Sequence, residues 1–312
     1  MSALSRISTW IEEPVPVLRM ELFRIFGPLF ILGFMSRRFA YADEWVGDAG
    51  FRVPPLIGDW RQPLYIPALP AWAAWSLAIT MVVAGLSVSL GIRTRASALV
   101  FATTLVFVAL SDRLAAFTVS KLAPVLMLAV AVGPSGTRLG VDAWRKRRAG
   151  GKKPRKLRSI GPVHFLQLFL PIFYSSSGIA KARGDWLTTP HLLWTHLHDT
   201  YQTSVSFFIA SMTPGWAFNL LQGMVLAFEV GAPVWFAMRR TRTYAFLFGM
   251  GLHLMIALMF GPVVWFGCLM MSVLASAYMP DAWFAPLEQL ATWVEGKKRG
   301  IDRKVERSEA VN

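Results

Sequence analysis

The chain has 312 residues, 54% hydrophobic and 16% charged, with a mean hydropathy of +0.46. That is too apolar for an ordinary water-soluble domain and marks an all-α, polytopic membrane protein surrounded by membrane lipids. The formal net charge of +14 would suggest a nucleic-acid surface if it were spread over one face, but the cations cluster between apolar runs, so no nucleic-acid partner is expected.

A helix needs about 17 to 25 apolar residues to cross the hydrocarbon core. Eight runs of roughly that size are legible, at 17–35, 70–91, 95–111, 114–133, 162–182, 216–238, 244–260 and 262–280, which predicts a helical bundle of about eight transmembrane helices. Glu12 and Glu13 precede the first run and no small-residue cleavage site follows it, so the first span is expected to stay in place. The loop at 36–69, rich in aromatic residues, proline and acids, reads either as an interfacial loop anchored by its tryptophans or as a cap over the outer mouth. Ser111, Asp112 and Arg113 alone separate the third and fourth runs, and Gly261 and Pro262 the last two, so both pairs should be tight hairpins.

Between Thr137 and Ile160 lie ten basic residues and the single acid Asp142, which places the loop at 136–161 on the cytoplasmic side, with a flexible connector expected at 150–159. Arg93 and Arg95, the cluster Arg239, Arg240 and Arg242, and the basic residues of the tail at 284–312 fall on the same side, as do both termini. The tail beyond 296 is expected to be solvated. Residues 187–215 hold His191, His196 and His198, but no carboxylate or cysteine sits at ligand spacing, and Cys268 is the only cysteine; no metal is expected.

An ionisable group within a span is costly unless it is paired or faces water. Arg24, Lys121, Lys181, Glu229 and His253 are such groups. At about 1.5 Å per residue, Arg24 and Glu229 fall on the inner half and are expected to form a structural ion pair, although Glu21, three residues from Arg24, could pair with it locally. Lys121, Lys181 and His253 fall on the outer half, where they could line one cavity. A histidine there acts either as an interhelical hydrogen-bonding contact or in catalysis.

The most informative stretch is FYSSSGIAKARGDW, from Phe173 to Trp186. Tyr174, Gly178 and Lys181 stand at i, i+4 and i+7, so a phenol, a gap and an amine share one helix face. Two readings of Lys181 follow: a snorkelling anchor beside the interfacial Trp186, or an amine tuned by an apolar pocket to act as a base. Gly178 likewise either leaves room for a flat ring or marks close helix packing.

The pattern Tyr-x3-Gly-x2-Lys-x4-Trp resembles the central helix of the vitamin K-dependent gamma-carboxylases and their bacterial relatives, the HTTM membrane domains. RMELFRIFG in the first run, GTRLGVDAW, the helix bearing Glu229, Gly231 and Pro233, and His253 before a Met-rich run are similar to further family segments. The resemblance implies an HTTM-like transmembrane domain over 1–283 in a bacterial inner membrane. It also implies that Lys181 is the base that deprotonates a reduced quinone resembling vitamin K hydroquinone. His253 and Lys121 are then further catalytic candidates, with Tyr174, Gly178 and Trp186 as cofactor-binding residues. A carboxylase-like enzyme that forms carbon–carbon bonds on a secreted peptide or protein follows as one expectation. A non-catalytic factor for maturation or export of such a partner, or a small transporter, is the alternative. Two departures bear on the choice. Thr118 and Val119 stand where the carboxylases carry an Asn-His pair, and the large propeptide-gripping domain is missing after the last run.

Overall fold

Apolar helices joined by short turns make up the fold, and the computed structural model describes residues 12–51, 66–111, 118–151, 156–198 and 202–293. The long helices are α1 (Leu18–Phe39), α2 (Ala71–Leu90), α3 (Thr94–Ser111), α4 (Thr118–Val132), α6 (Gly161–Arg183), α9 (Gly215–Ala237), α10 (Arg239–Met259) and α11 (Val264–Tyr278). Between them lie the short helices α5 (Val141–Arg148), α7 (Leu192–Leu197) and α8 (Ser204–Met212), and two strands, β1 (Pro14–Pro16) and β2 (Leu157–Ser159). The protein is an all-α membrane helical bundle. Among the described residues five helices, α2, α3, α6, α9 and α10, are long and apolar enough to cross a membrane.

The remaining three expected spans fall short for identifiable reasons. Helix α1 is long enough but carries Glu21, Arg24, Arg37 and Arg38. For α4 the described helix starts at Thr118, and the expected Asp112 turn lies outside the described residues. Gly261–Val263 forms a 3-10 turn, which delays α11 to Val264 and leaves 15 residues, about 22 Å of helix.

The chain divides into two compact units. The first takes residues 1–29, 42–162 and 279–312. In it α2 ends at Gly91, whose left-handed φ of 73° lets its N–H and that of Ile92 close on Val88 and Ser87. No side chain fits there, because a Cβ would stand 2.5 Å from Cα of Gly140. The last carbonyls of α2 find their partner in Arg24, whose Nη1 donates to Val88 and Ser89 at 2.8 and 2.6 Å. Glu21, wholly buried, accepts from Arg24 at 3.2 Å and from the N–H groups of Thr137 and Arg138 at 2.7 and 2.9 Å.

Two basic segments are more ordered than their composition suggests. Part of the expected flexible connector is strand β2, antiparallel to β1 with Val15 opposite Arg158, and α5 occupies the loop before it. The expected tail opens with helical residues 281–293. Phe284 and Ala291 pack on Leu18, Arg19 lies over the Phe284 ring, and Arg138 binds both oxygens of Glu288 at 2.8 and 2.9 Å. The apolar side chains hold the segment down; charge alone would have left it solvated. The solvated tail expected beyond 296 lies outside the described residues.

The second unit takes residues 30–41 and 163–278. Helices α9, α10 and α11 follow one another as antiparallel neighbours. The hairpin of α10 and α11 closes tightly, since a Cβ on Gly267 would lie 2.6 Å from the carbonyl of His253. Residues 187–215 contain α7 and α8, which pack Leu197 and Ala210 on Phe218 and Met259.

Candidate functional site

Helix α6 crosses α9 at Gly178. A Cβ there would stand 2.7 Å from N of Val230 and 2.9 Å from Cβ of Glu229, so the two backbones are as near as a glycine permits. Of the two readings of Gly178, close helix packing is the one the geometry has, with α9 occupying the gap. The crossing sets Glu229 opposite Lys181 on the shared face of α6.

One turn beyond Gly178, Nζ of Lys181 lies 2.5 and 2.6 Å from the two carboxylate oxygens of Glu229, and it donates to Oγ of Ser177 at 3.3 Å. The Lys181 side chain keeps 27% of its surface exposed and that of Glu229 8%, so the carboxylate is the buried partner. Trp186, in the turn after α6, sets its ring 5.1 Å from the ammonium, which adds a cation–π contact. That turn is held from α9. The buried amide of Gln222 donates to the carbonyls of Trp186 and Thr189 at 2.7 and 3.2 Å and accepts from N–H of Leu193 at 3.2 Å.

One turn before Gly178, the buried Tyr174 shares a hydrogen bond of 2.7 Å with Nε2 of His253 on α10. Its ring meets Phe228 edge-on at 5.3 Å and stacks on Phe236 at 6.4 Å. The other nitrogen of His253, Nδ1, is buried with no hydrogen-bond partner among the described residues. Phe228 also borders an apolar cavity of about 350 Å³, together with Trp235, Tyr244 and Phe248.

Six of the eight residues singled out in the sequence therefore belong to one cluster: Tyr174, Gly178, Lys181, Trp186, Glu229 and His253. Lys121 belongs to the first unit, exposed on α4. The expected Arg24–Glu229 pair is corrected, because Arg24 is held by Glu21 and Glu229 by Lys181. His191 and His198 flank α7 as its caps, the latter with its ring tilted against that of Trp194 at 4.0 Å, and no group able to hold a metal occurs among the described residues.

The model of the HTTM domain matches residues 14–283, a span that contains every residue of this cluster. The chain belongs to the HTTM family. No curated protein and no solved structure matches it significantly. Ser177, Gln222, Phe228 and Phe236 are parts of this HTTM site that sequence reasoning missed. Gln222 had a signal, since an amide inside an apolar span needs a partner as much as a charge does. The aromatic pair had none, for phenylalanines are ordinary in such helices.

Proposed function

We propose that this HTTM protein is a membrane-embedded enzyme of the vitamin K-dependent carboxylase type, in which Lys181 takes a proton from a reduced quinone. What carries the reading is the Lys181–Glu229 pair, a partly exposed amine on a buried carboxylate. A quinol supplies an acidic hydroxyl and, once deprotonated, an electron-rich ring. The residues present suit such a group: the amine keeps an exposed side, and the Trp186 ring beside it offers a flat apolar face. A proton that reaches the amine leaves an ammonium already matched by Glu229, so the charge needs no rearrangement to be stabilised. We further place the basic connections and both termini on the cytoplasmic side of a bacterial inner membrane, in line with the lysine and arginine bias.

The test is Lys181→Arg, since arginine preserves the ion pair and the cation–π contact but cannot shed its proton near neutral pH. Purified protein with a short-chain hydroquinone should show oxygen uptake above the detergent background, because the quinol anion is the readily oxidised form. The arginine variant should fold equally well and show none. Equal uptake by both proteins refutes the base.

A second reading, a non-catalytic factor for a secreted partner, is favoured by one observation. Lys181 is fully satisfied by Glu229, Ser177 and Trp186, as a helix clamp would be. Under that reading Lys181→Arg retains all function in the host.

A further inference from the structure

The first unit contains a cavity of about 980 Å³ that the Lys181 chemistry does not use. Its walls come from separate stretches: the start of α3, residues 133–137 after α4, the helix α5 and strand β2. They bring Arg93, Arg95, Lys146, Arg147 and Arg158 to one hollow, against the single acid Asp142. Asp142 turns to the backbone, with Oδ2 accepting from N–H of Arg93 at 2.6 Å. None of the five cations forms an ion pair among the described residues; Arg147 donates only to the carbonyl of Arg138, at 2.6 Å.

Five like charges in a mobile loop would move apart into water. Here the walls are fixed by contacts that do not depend on the cations. Gly136, at a φ of 77°, presses against Thr94, where a Cβ would come within 2.3 Å of Oγ1. Gly91 touches Gly140 and accepts from N–H of Asp142 at 3.1 Å. The buried carboxylate of Glu21 ties down Thr137 and Arg138 from behind. The positive charge is therefore held in a concave site at a cost in mutual repulsion, and a polyanion would relieve that cost.

We infer that this cavity binds a phosphoryl group. Guanidinium forks match phosphate oxygens two at a time, and the first N–H groups of α3 add partial positive charge at the rim. That chemistry is common to the headgroup of an anionic phospholipid and to a soluble phosphate ester.

Two arms tell these sources apart, both with the full-length protein. In neutral detergent, millimolar inorganic pyrophosphate is compared with sodium chloride of equal ionic strength. In nanodiscs, phosphatidylcholine is compared with phosphatidylcholine containing a minority of phosphatidylglycerol. The melting midpoint should rise by roughly 2–4 °C in at least one arm. It should not rise in Arg95→Gln/Lys146→Gln, whose two positions are exposed and outside every buried contact described above. Lys146→Arg alone, which keeps the charge, should retain the rise. A rise confined to pyrophosphate assigns a soluble ester, and one confined to phosphatidylglycerol assigns a lipid headgroup. No rise in either arm, or an undiminished rise in the double variant, overturns the site.

Discussion

Lys181 and Glu229 meet through both carboxylate oxygens, and the acid is the more buried of the two. The lysine can turn its ammonium toward water when unpaired, whereas the acid has no such exit. Losing the lysine should therefore cost more than losing the acid. Lys181→Met is expected to destabilise the protein by about 3 kcal/mol, Glu229→Gln by less, and Lys181→Met/Glu229→Leu by less than the sum of its parts. Melting in one detergent measures all of them. Additive losses would mean that the two residues are not coupled.

Gly178→Ala should cost roughly 1–3 kcal/mol, because the atoms that a methyl group would meet include backbone of α9, which cannot turn aside. Gly223 on the same helix α9 has nothing within 4 Å of its missing Cβ. Gly223→Ala is the matched control and should be neutral or stabilising by about 0.5–1 kcal/mol. If the two alanines behave alike in thermal unfolding, the helices do not cross at Gly178.

Tyr174→Phe removes the hydrogen-bond partner of Nε2 of His253 and leaves both ring nitrogens buried without a bond among the described residues. A loss of about 1–2 kcal/mol is expected. Replacing the histidine as well, in Tyr174→Phe/His253→Phe, should lose less than the separate changes together, since no polar group is then stranded. Chemical denaturation of the three variants measures the difference.

Gln222→Leu should free the turn that bears Trp186 while leaving α9 intact. Amide hydrogen exchange is expected to speed up about tenfold over 186–193 and to stay unchanged in α10. Unchanged exchange over 186–193 would show that the amide does not hold the turn.

Orientation has its own check. In a Cys268→Ser background, an impermeant thiol reagent applied to intact cells should label Val205→Cys and spare Ala149→Cys, both at exposed positions. The reverse pattern would invert the proposed topology.

The sequence made most of the helices legible, because punctuation and apolar length agree: Pro70 precedes α2, Gly91 ends it, and Gly261 with Pro262 breaks α10 from α11. It was less informative about which charges meet. Glu21 stood one turn from Arg24, and that local alternative is the pairing the structure has. Lys181 and Glu229 lie 48 residues apart, and a depth count along straight spans put them on different levels. What brings them together is the crossing of α6 and α9 at Gly178, a property of two helix faces that neither periodicity nor composition records. Similarly, a run of cations reads as solvated until Phe284 or strand β2 shows what pins the segment in place.

The contact at Gly178 also limits how the site can admit anything. With backbone already against backbone, α6 and α9 cannot come closer and have little reason to part, so the separation of Lys181 from Glu229 is a matter of side-chain torsion and not of helix travel. The exposed side of the lysine can therefore be reached without disturbing the helix crossing. The pair is thus a local switch set in a rigid frame, in which one side-chain rotation is weighed against one ion pair.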